Sequence, residues 1–421
     1  MPEQFDAGDT SFVLISAALV MLMTPGLAFF YGGMVRVKSV LNMLLMSFIS
    51  LGIVSVLWVA YGYSLAFGDD LGAGLLGDLS YAGLKGITGV TLTGTIPVFA
   101  FVVFQLMFAI ITPALISGAI ADRAKFGAWI LFIALWVTLV YFPVAHWVWQ
   151  SDGWIFRLGV KDFAGGTAVH INAGMAALGA LFVLGKRVGF KKETMRPHSL
   201  PLVMLGSGLL WFGWFGFNAG SALAANGTAS IAFLNTQVAT GAAMMGWLIW
   251  ERLRSGSFTS LGAASGAVAG LVAITPACAA VDTWGAIAIG SVAGFVCAWA
   301  VGLKERFGYD DALNVVGVHA VGGFVGTLLI GVFDTTAGLV AGAGFGQLGK
   351  QAIGAFAVAS YSLVLTWLLA KVIDVSIGFR VSHQDEVVGI DLVVHAETAY
   401  DFSAVSERAS GAPSLPGARK S

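Results

Sequence analysis

Apolar residues occur along this chain in long, nearly uninterrupted stretches, separated by short polar segments. Each stretch spans about 20 residues, the length that a helix needs to cross the hydrocarbon core of a bilayer. They predict eleven transmembrane helices, at residues 11–32, 40–66, 97–121, 126–149, 163–184, 200–217, 230–250, 259–279, 285–303, 312–333 and 350–374. The predicted fold is therefore an all-α polytopic membrane protein.

The composition agrees with this class and excludes others. Of the 421 residues, 57% are hydrophobic and only 11% are charged, which is too apolar for a water-soluble chain of this length. The net charge of -1 gives no basic surface, so we expect the lipid bilayer as a partner and no nucleic acid. Cys278 and Cys297 both lie inside apolar stretches without metal-ligand spacing, and we interpret them as packing residues.

Basic residues concentrate in alternate loops between the predicted helices, for example in the run from Lys186 to Arg196. By the positive-inside rule these loops are cytoplasmic, so the N-terminus lies outside and the C-terminus inside. Met1 to Thr10 holds no Lys or Arg, so the first stretch is predicted to be a retained helix rather than a signal peptide. We therefore expect a multi-pass protein of the cell (plasma or inner) membrane.

Two segments of the chain resemble each other and indicate an internal repeat. DFAGGTAVHINAG, from Asp162, aligns with DALNVVGVHAVGG, from Asp311, and places His170 opposite His319. A repeat of five helices is odd in number, so the two copies have opposite topology, as in many transporters. This predicts a domain of residues 1–375 with repeats at about 11–184 and 200–333 and an extra helix at 350–374, followed by a cytoplasmic regulatory tail at 376–421.

The interior of the predicted helices holds two histidines but no carboxylate and no lysine. His170 and His319 both reach roughly mid-depth, and the repeat brings them to one interface, where they can touch. A membrane histidine can serve helix packing alone, but two at equivalent positions favour a function. Ion channels and cation pumps need carboxylates or carbonyl rings, which these spans do not supply, so a small uncharged solute fits better.

A second class of protein also fits two mid-membrane histidines, because they could be the axial ligands of a haem. We predict no cofactor and no metal, and a Soret band would distinguish the two hypotheses. Aromatic side chains lie between the histidines and the predicted outer side. Phe104 and Phe108 share one helix face, and ring faces near a hydroxyl such as that of Ser221 would attract a small cation.

These residues resemble the Amt/MEP/Rh family of ammonium transporters, and a bacterial Amt protein in particular. The likeness runs from about Thr24 to Tyr400. Its most specific parts are DFAGGTAVHINAG from Asp162, GWFGFNAGS from Gly213 and DDALNVVGVHAVGG from Asp310. The family usually has an acid where this chain has Asn314.

The resemblance implies a role for each matching residue. His170 and His319 match the paired histidines of the pore, and Trp214, Thr275 and Gln105 match further lining positions. Phe108 and Phe217 match the rings that gate the outer mouth. The outer ammonium recruitment site is matched by Phe104, Trp149 and Ser221, and Asp162 matches an acid that the family needs for function. Asp162 also fits a helix N-cap.

The resemblance implies a homotrimer with one pore per subunit, and not an enzyme. It implies that ammonium is recruited outside, loses its proton at the gate and crosses as ammonia. An ammonium sensor and a neutral gas (carbon dioxide) channel are the alternatives; a tail of about 45 residues is short for a signalling domain, and a cation-attracting mouth is of no use to a neutral gas.

Residues 380–400 resemble the family's cytoplasmic segment, which meets a PII signal-transduction protein. Their apolar residues predict that this segment packs under its own and a neighbouring subunit.

Overall fold

A computed structural model describes residues 5–401 of the protein. Within that range the regular secondary structure is helical apart from one antiparallel hairpin of β1 (Leu92–Thr93) and β2 (Ile96–Pro97), which agrees with the predicted all-α class. The Ser, Ala, Gly and Pro content at the end of the chain predicts disorder from Asp401 onward. Residues 402–421 lie outside the described residues.

The α-helices are, in chain order, α1 (Ala7–Met34), α2 (Val40–Leu57), α3 (Tyr63–Phe67), α4 (Val98–Ser117), α5 (Phe126–Trp136), α6 (Phe142–Trp149), α7 (Trp154–Leu158), α8 (Asn172–Leu184), α9 (Leu200–Ala219), α10 (Gly227–Ser255), α11 (Ser260–Ile274), α12 (Thr283–Ala300), α13 (Leu303–Phe307), α14 (Val321–Phe333), α15 (Gly346–Ile377), α16 (His383–Val388) and α17 (Ile390–His395). Short 3₁₀ turns lie at Val37–Ser39, Ala82–Leu84 and Gly220–Ala222, and π-helical turns lie at Trp58–Gly62, Val137–Tyr141, Gly166–Ile171 and Val316–Ala320.

Nine helical segments within residues 5–401 are long and apolar enough to cross a membrane. They are Ala7–Met34, Val37–Phe67, Val98–Ser117, Phe126–Leu158, Gly166–Leu184, Leu200–Ala222, Thr283–Phe307, Val316–Phe333 and Gly346–Ile377. Each coincides with a span predicted from the sequence. The protein is therefore a multi-pass membrane protein.

The other two predicted spans, 230–250 and 259–279, also hold helices. α10 is 29 residues long, but it carries amide and hydroxyl side chains such as Asn235 and Thr236 and falls below the hydropathy of the nine. Both side chains are buried inside the protein, where Asn235 Nδ2 donates to the carbonyls of Cys278 and Val281 and Thr236 Oγ1 donates to the carbonyl of Ala232. α11 is apolar but only 15 residues long. The count of eleven transmembrane helices stays a prediction.

Glycine faces allow the central helices to approach closely. α1 packs along α9, where a Cβ atom at Gly206 would overlap the backbone of Phe30. A Cβ atom at Gly174 on α8 would likewise overlap the backbone of Ala320, next to His319. Such contacts are typical of membrane helices, whose association depends on close packing rather than on the hydrophobic effect.

Candidate functional site

His170 and His319 are in direct contact in the middle of the bundle. Their Nδ1 atoms are 3.3 Å apart, at hydrogen-bond distance, and the ring centroids are 5.4 Å apart with an interplanar angle of 26°. Both side chains are buried, at 1% and 3% exposure. Since two like nitrogens are bonded, one ring donates at Nδ1 and the other accepts there. The two imidazoles therefore act as one hydrogen-bonded unit.

The helices that carry the histidines are built alike. Each histidine lies in a π-helical turn, Gly166–Ile171 or Val316–Ala320, which continues into α8 or α14. Such turns are rare and are frequently found at functional sites. The glycine four residues after each histidine, Gly174 or Gly323, packs against the residue that follows the other histidine. The contact between the two segments is thus reciprocal, as an approximate two-fold relation requires.

A buried aspartate begins each of these segments. The Asp162 carboxylate accepts hydrogen bonds from the amides of residues 165 to 168, at 2.6–3.1 Å, and from the hydroxyl of Thr167. Asp311 accepts from the amides of Val315 and Val316 at 2.9 and 2.8 Å. First-turn amides have no partner within their own helix, so both carboxylates act as caps.

Aromatic rings cover the histidine pair on one side. The Phe217 ring lies 6.0 Å from His170 and 4.3 Å from Phe108, and all three side chains are buried. The Trp214 ring stacks on His170 at 5.4 Å, and its Nε1 donates to Thr275 Oγ1 at 2.8 Å. The structure therefore brings Phe108, Phe217, Trp214 and Thr275 together around His170.

The remaining predicted recruitment residues lie further along the same line. Phe108 contacts Phe104 at 5.0 Å and Trp149 at 5.7 Å, both edge to face. Trp149 is half-buried and donates from Nε1 to the Asp162 carbonyl at 3.1 Å, whereas Phe104 is fully buried. The half-buried Ser221 donates to the carbonyl of Phe217 at 2.8 Å. We call the end of the bundle that holds Trp149 and Ser221 the aromatic end.

Little space surrounds the histidines. Two cavities of about 10 Å³ each adjoin the pair, one between Phe217 and His170 and one on the other side of His319. That is close to the smallest cavity volume that can hold one water molecule. The Nδ1 separation of 3.3 Å leaves no room for a metal ion, which bonds each imidazole at about 2 Å, or for a macrocycle around it. The residues present do not fit a haem between the rings.

Sequence reasoning missed part of the lining. Phe30 and Val268 border both cavities. Neither residue has a predicted role in a pore, because an apolar side chain in an apolar span carries no signal of its own. Gln105 is half-buried, and its Oε1 has no hydrogen-bond partner among residues 5–401. His170 Nε2 is equally buried and unpaired within that range. These atoms can bond a small polar solute.

The opposite end of the bundle is rich in ion pairs. Arg187 bonds Asp310 through Nε and Nη2, at 2.9 and 2.8 Å, and also pairs with Asp122 at 3.1 Å. Burial alone would raise the pKa of Asp310, but the hydrogen bonds and charge of Arg187 outweigh it and hold the pKa below its ordinary value. Burial lowers the pKa of Arg123, which donates to the Asp310 carbonyl, to about 10, so it stays charged at neutral pH.

Asn314 lies at this same end and borders the cavity next to His319. Its backbone is left-handed, with a φ of 64°, a conformation that asparagine tolerates better than most residues. Its Oδ1 accepts from Lys304 Nζ at 2.6 Å. The lysine is therefore paired here with a neutral amide rather than with an acid.

Residues 379–400 pack over these ion pairs. We call the end of the bundle that holds the ion pairs of Arg187 and residues 379–400 the tail end. The backbone of Phe379 and Val381 bonds that of residues 123 and 125. The buried Glu386 accepts from Arg380 at 2.7 Å and from the amide of Val188 at 2.6 Å. Asp391 accepts from the amides of Leu41 and Asn42. The segment is thus fixed to the connection between α4 and α5, to the connection between α8 and α9 and to the start of α2.

Within residues 5–401, nine apolar helical segments and a buried pair of contacting histidines with little space around it define the class of the protein: it is a multi-pass membrane protein with the features of a transporter. Comparison with known proteins identifies the family. A family model described as "Ammonium Transporter Family" matches residues 11–400. The ammonium transporter of Mycobacterium tuberculosis is 56% identical, and the match covers 95% of this chain and 92% of that protein. The chain belongs to the ammonium transporter family.

Solved structures agree with this membership. The crystal structure of Saccharomyces cerevisiae Mep2 has a TM-score of 0.85 at 34% identity, covering 90% of this chain and 88% of that one. A structure titled "Sensor Amt Protein" has a TM-score of 0.86 at 29% identity, covering 93% of this chain and 98% of that one. The family resemblance read from the sequence is confirmed.

Proposed function

We propose that the protein transports ammonium across the membrane and that the substrate crosses the bundle as ammonia. The main support is the histidine pair, which is in contact at 3.3 Å beneath the rings of Phe108 and Phe217. The cavities beside it have room for about one water-sized molecule. A polar, uncharged and very small solute is the kind that such a path accepts.

Recruitment takes place at the aromatic end, where a cation is attracted to the ring faces of Phe104, Phe108 and Trp149 with the Ser221 hydroxyl beside them. The ion cannot continue past the Phe108–Phe217 stack, because burying a charge without a partner is costly. Ammonium can give its proton to bulk water at the aromatic end and proceed as ammonia. Trp214, Gln105, Thr275 and the two histidines border the path of the ammonia. Potassium has no proton to lose and is excluded.

Uptake into proteoliposomes tests this substrate class. Purified protein should carry labelled methylammonium into vesicles, and ammonium should compete with it while potassium at the same concentration should not. Competition by potassium would contradict the proposal. Vesicles without protein give the background, since ammonia also crosses lipid unaided.

We propose further that the aromatic end faces outward, with the N-terminus outside and the tail cytoplasmic. Eleven spans, arranged as two inverted repeats of five and an extra helix at 350–374, account for this topology. The reciprocal packing of Gly174 and Gly323 supports the repeat. In this arrangement the protein is a trimer with one pore per subunit.

The tail is proposed to regulate transport. Its bonds to residues 41, 123 and 188 connect it to the segments that flank the tail end of the pathway. A PII signal-transduction protein is the proposed partner at this face. Deleting residues from 380 onward should lower transport and remove PII binding in a pull-down assay. A truncated protein with full transport and unaltered PII affinity would refute this role.

A further inference from the structure

We infer that Gln351, a buried residue of α15, is a positioning residue for the aromatic end. This inference rests on the proposed recruitment site and names a residue outside it. Gln351 is 0% exposed and lies near the start of a helix that supplies none of the predicted site residues. Burying an amide side chain costs free energy unless its donors and acceptors are hydrogen-bonded. The partners of Gln351 therefore indicate what this side chain does.

The Gln351 side chain bonds both sides of a single residue. Its Oε1 accepts from the amide of Lys161 at 2.7 Å, and its Nε2 donates to the Lys161 carbonyl at 2.8 Å. The Oε1 also accepts from Gln347 at 2.9 Å, and Nε2 also donates to the Thr327 carbonyl at 3.2 Å. Both donors and both acceptor positions of the amide are thus used. The position of Lys161 is fixed relative to α15 and α14.

Lys161 is held by its side chain as well. Its Nζ pairs with Asp334 at 2.5 Å, and the buried Asp334 follows the end of α14, which continues the His319 segment. The aspartate also accepts from the amides of Thr336 and Ala337. Residue 161 is therefore anchored to the helix of one histidine while it directly precedes the cap of the other.

The residue that follows Lys161 connects this anchor to the site. The Asp162 carboxylate caps the His170 segment. The backbone carbonyl of Asp162 accepts a hydrogen bond from Trp149 Nε1 at 3.1 Å. Trp149 also lies close to Gly165, where a Cβ atom would be 3.5 Å from the indole ring. The chain of contacts runs from Gln351 through Lys161 and Asp162 to the ring of Trp149. Gln351 thereby sets the ring's position without touching the substrate.

The test compares Gln351→Met, which keeps the volume of the side chain and removes all four hydrogen bonds, with Trp149→Leu. The readout is the ratio of methylammonium flux to ammonium flux in proteoliposomes. We expect Gln351→Met to raise this ratio by about twofold to tenfold. A change of this size corresponds to the net free energy of about one hydrogen bond. Thr366→Val is the matched control, because it removes a buried bond on the same helix, to Trp136.

A double variant separates positioning from general stability. If Gln351 acts through Trp149, then Gln351→Met adds nothing to the flux ratio of Trp149→Leu. Multiplicative effects, or a Gln351→Met ratio equal to wild type while Trp149→Leu raises it, would overturn the inference. An unchanged ratio in Trp149→Leu alone would instead overturn the recruitment site. Should Gln351→Met not fold, Gln351→Glu keeps the acceptor for Lys161 and should shift the ratio in the same direction by less.

Discussion

Asp162 and Asp311 occupy equivalent positions in two similar segments, yet they lie at opposite ends of the bundle in chemically different surroundings. Each lies eight residues before its histidine and caps the segment that carries it. Asp162 accepts four backbone amides, and its carbonyl accepts from Trp149. Asp311 accepts two amides, its carbonyl accepts from Lys304 Nζ, and it adjoins Asp310, which pairs with Arg187. The shared caps place the histidines, and the surroundings of the caps make the two ends different.

The comparison also shows where specificity resides. At the aromatic end a cation meets ring faces and a cap that is already saturated with amide donors. At the tail end it meets paired charges such as Arg187 with Asp310. Since only the first of these two arrangements offers an unpaired attraction to a small cation, we propose that recruitment takes place at the aromatic end, although the two histidine segments are built alike.

The largest expected effect is the loss of folding stability when the capping carboxylate of Asp162 or Asp311 is removed. Loss of a capping carboxylate costs about 1–2 kcal/mol, and Asp162 serves twice as many amides as Asp311. We expect Asp311→Ala to lower the free energy of unfolding in detergent by about 2 kcal/mol and Asp162→Ala by about 4 kcal/mol. Equal losses would mean that the caps do not differ as their hydrogen bonds indicate.

The second effect concerns the ion pair at the tail end. Asp310→Asn leaves Arg187 with Asp122 as its remaining acid and should cost about 3 kcal/mol at neutral pH, the lower end for a broken buried pair. Because the pKa of Asp310 is held below its ordinary value, the carboxylate stabilises the fold above about pH 4 and loses this contribution as the pH falls through the lowered pKa.

Unfolding of wild type and Asp310→Asn over a pH series measures this. The stability gap between them should be constant from pH 7 to about pH 5 and should close only in stronger acid. A gap that closes already near neutrality would show that a histidine, rather than this carboxylate, controls the network.

The smallest effect is on selectivity at the aromatic end. Trp149→Leu removes one ring face and leaves the histidine pair in place, so methylammonium flux relative to ammonium should rise about tenfold, which corresponds to a cation–π contact of moderate strength. Trp147→Leu is the matched control: it also removes a tryptophan of α6, but this ring packs on Tyr361 and Trp154 instead of Phe108. Equal ratios in both variants would make Trp149 an interfacial anchor only.

Much of this architecture can be predicted from the chain alone. Uninterrupted apolar runs predict the spans, and the match of Asp162 and His170 to Asp311 and His319 predicts that the two imidazoles approach each other. α10 is harder to predict, because Asn235 lowers its hydropathy although the Nδ2 of this buried side chain donates to carbonyls 43 and 46 residues away in sequence.

Other features have no local signal. Arg187 and Asp310 are 123 residues apart, and a buried pair across that distance is visible only once the helices are packed. Gln351 resembles any polar residue near the start of a span until its partners at Lys161 and Thr327 are known. The π-helical turns around the histidines also leave no trace in the sequence, since those segments are largely apolar and show no periodic polar face.

The central claim, that ammonia crosses along the histidine pair, is tested most directly by methylammonium uptake into proteoliposomes containing His170→Ala. His198→Ala is the control, because this histidine bonds Val35 and Tyr400 at the tail end and lies away from the pair. The account predicts that His170→Ala forms a folded protein without uptake above the vesicle background and that His198→Ala transports. Uptake by folded His170→Ala at the wild-type rate would contradict it.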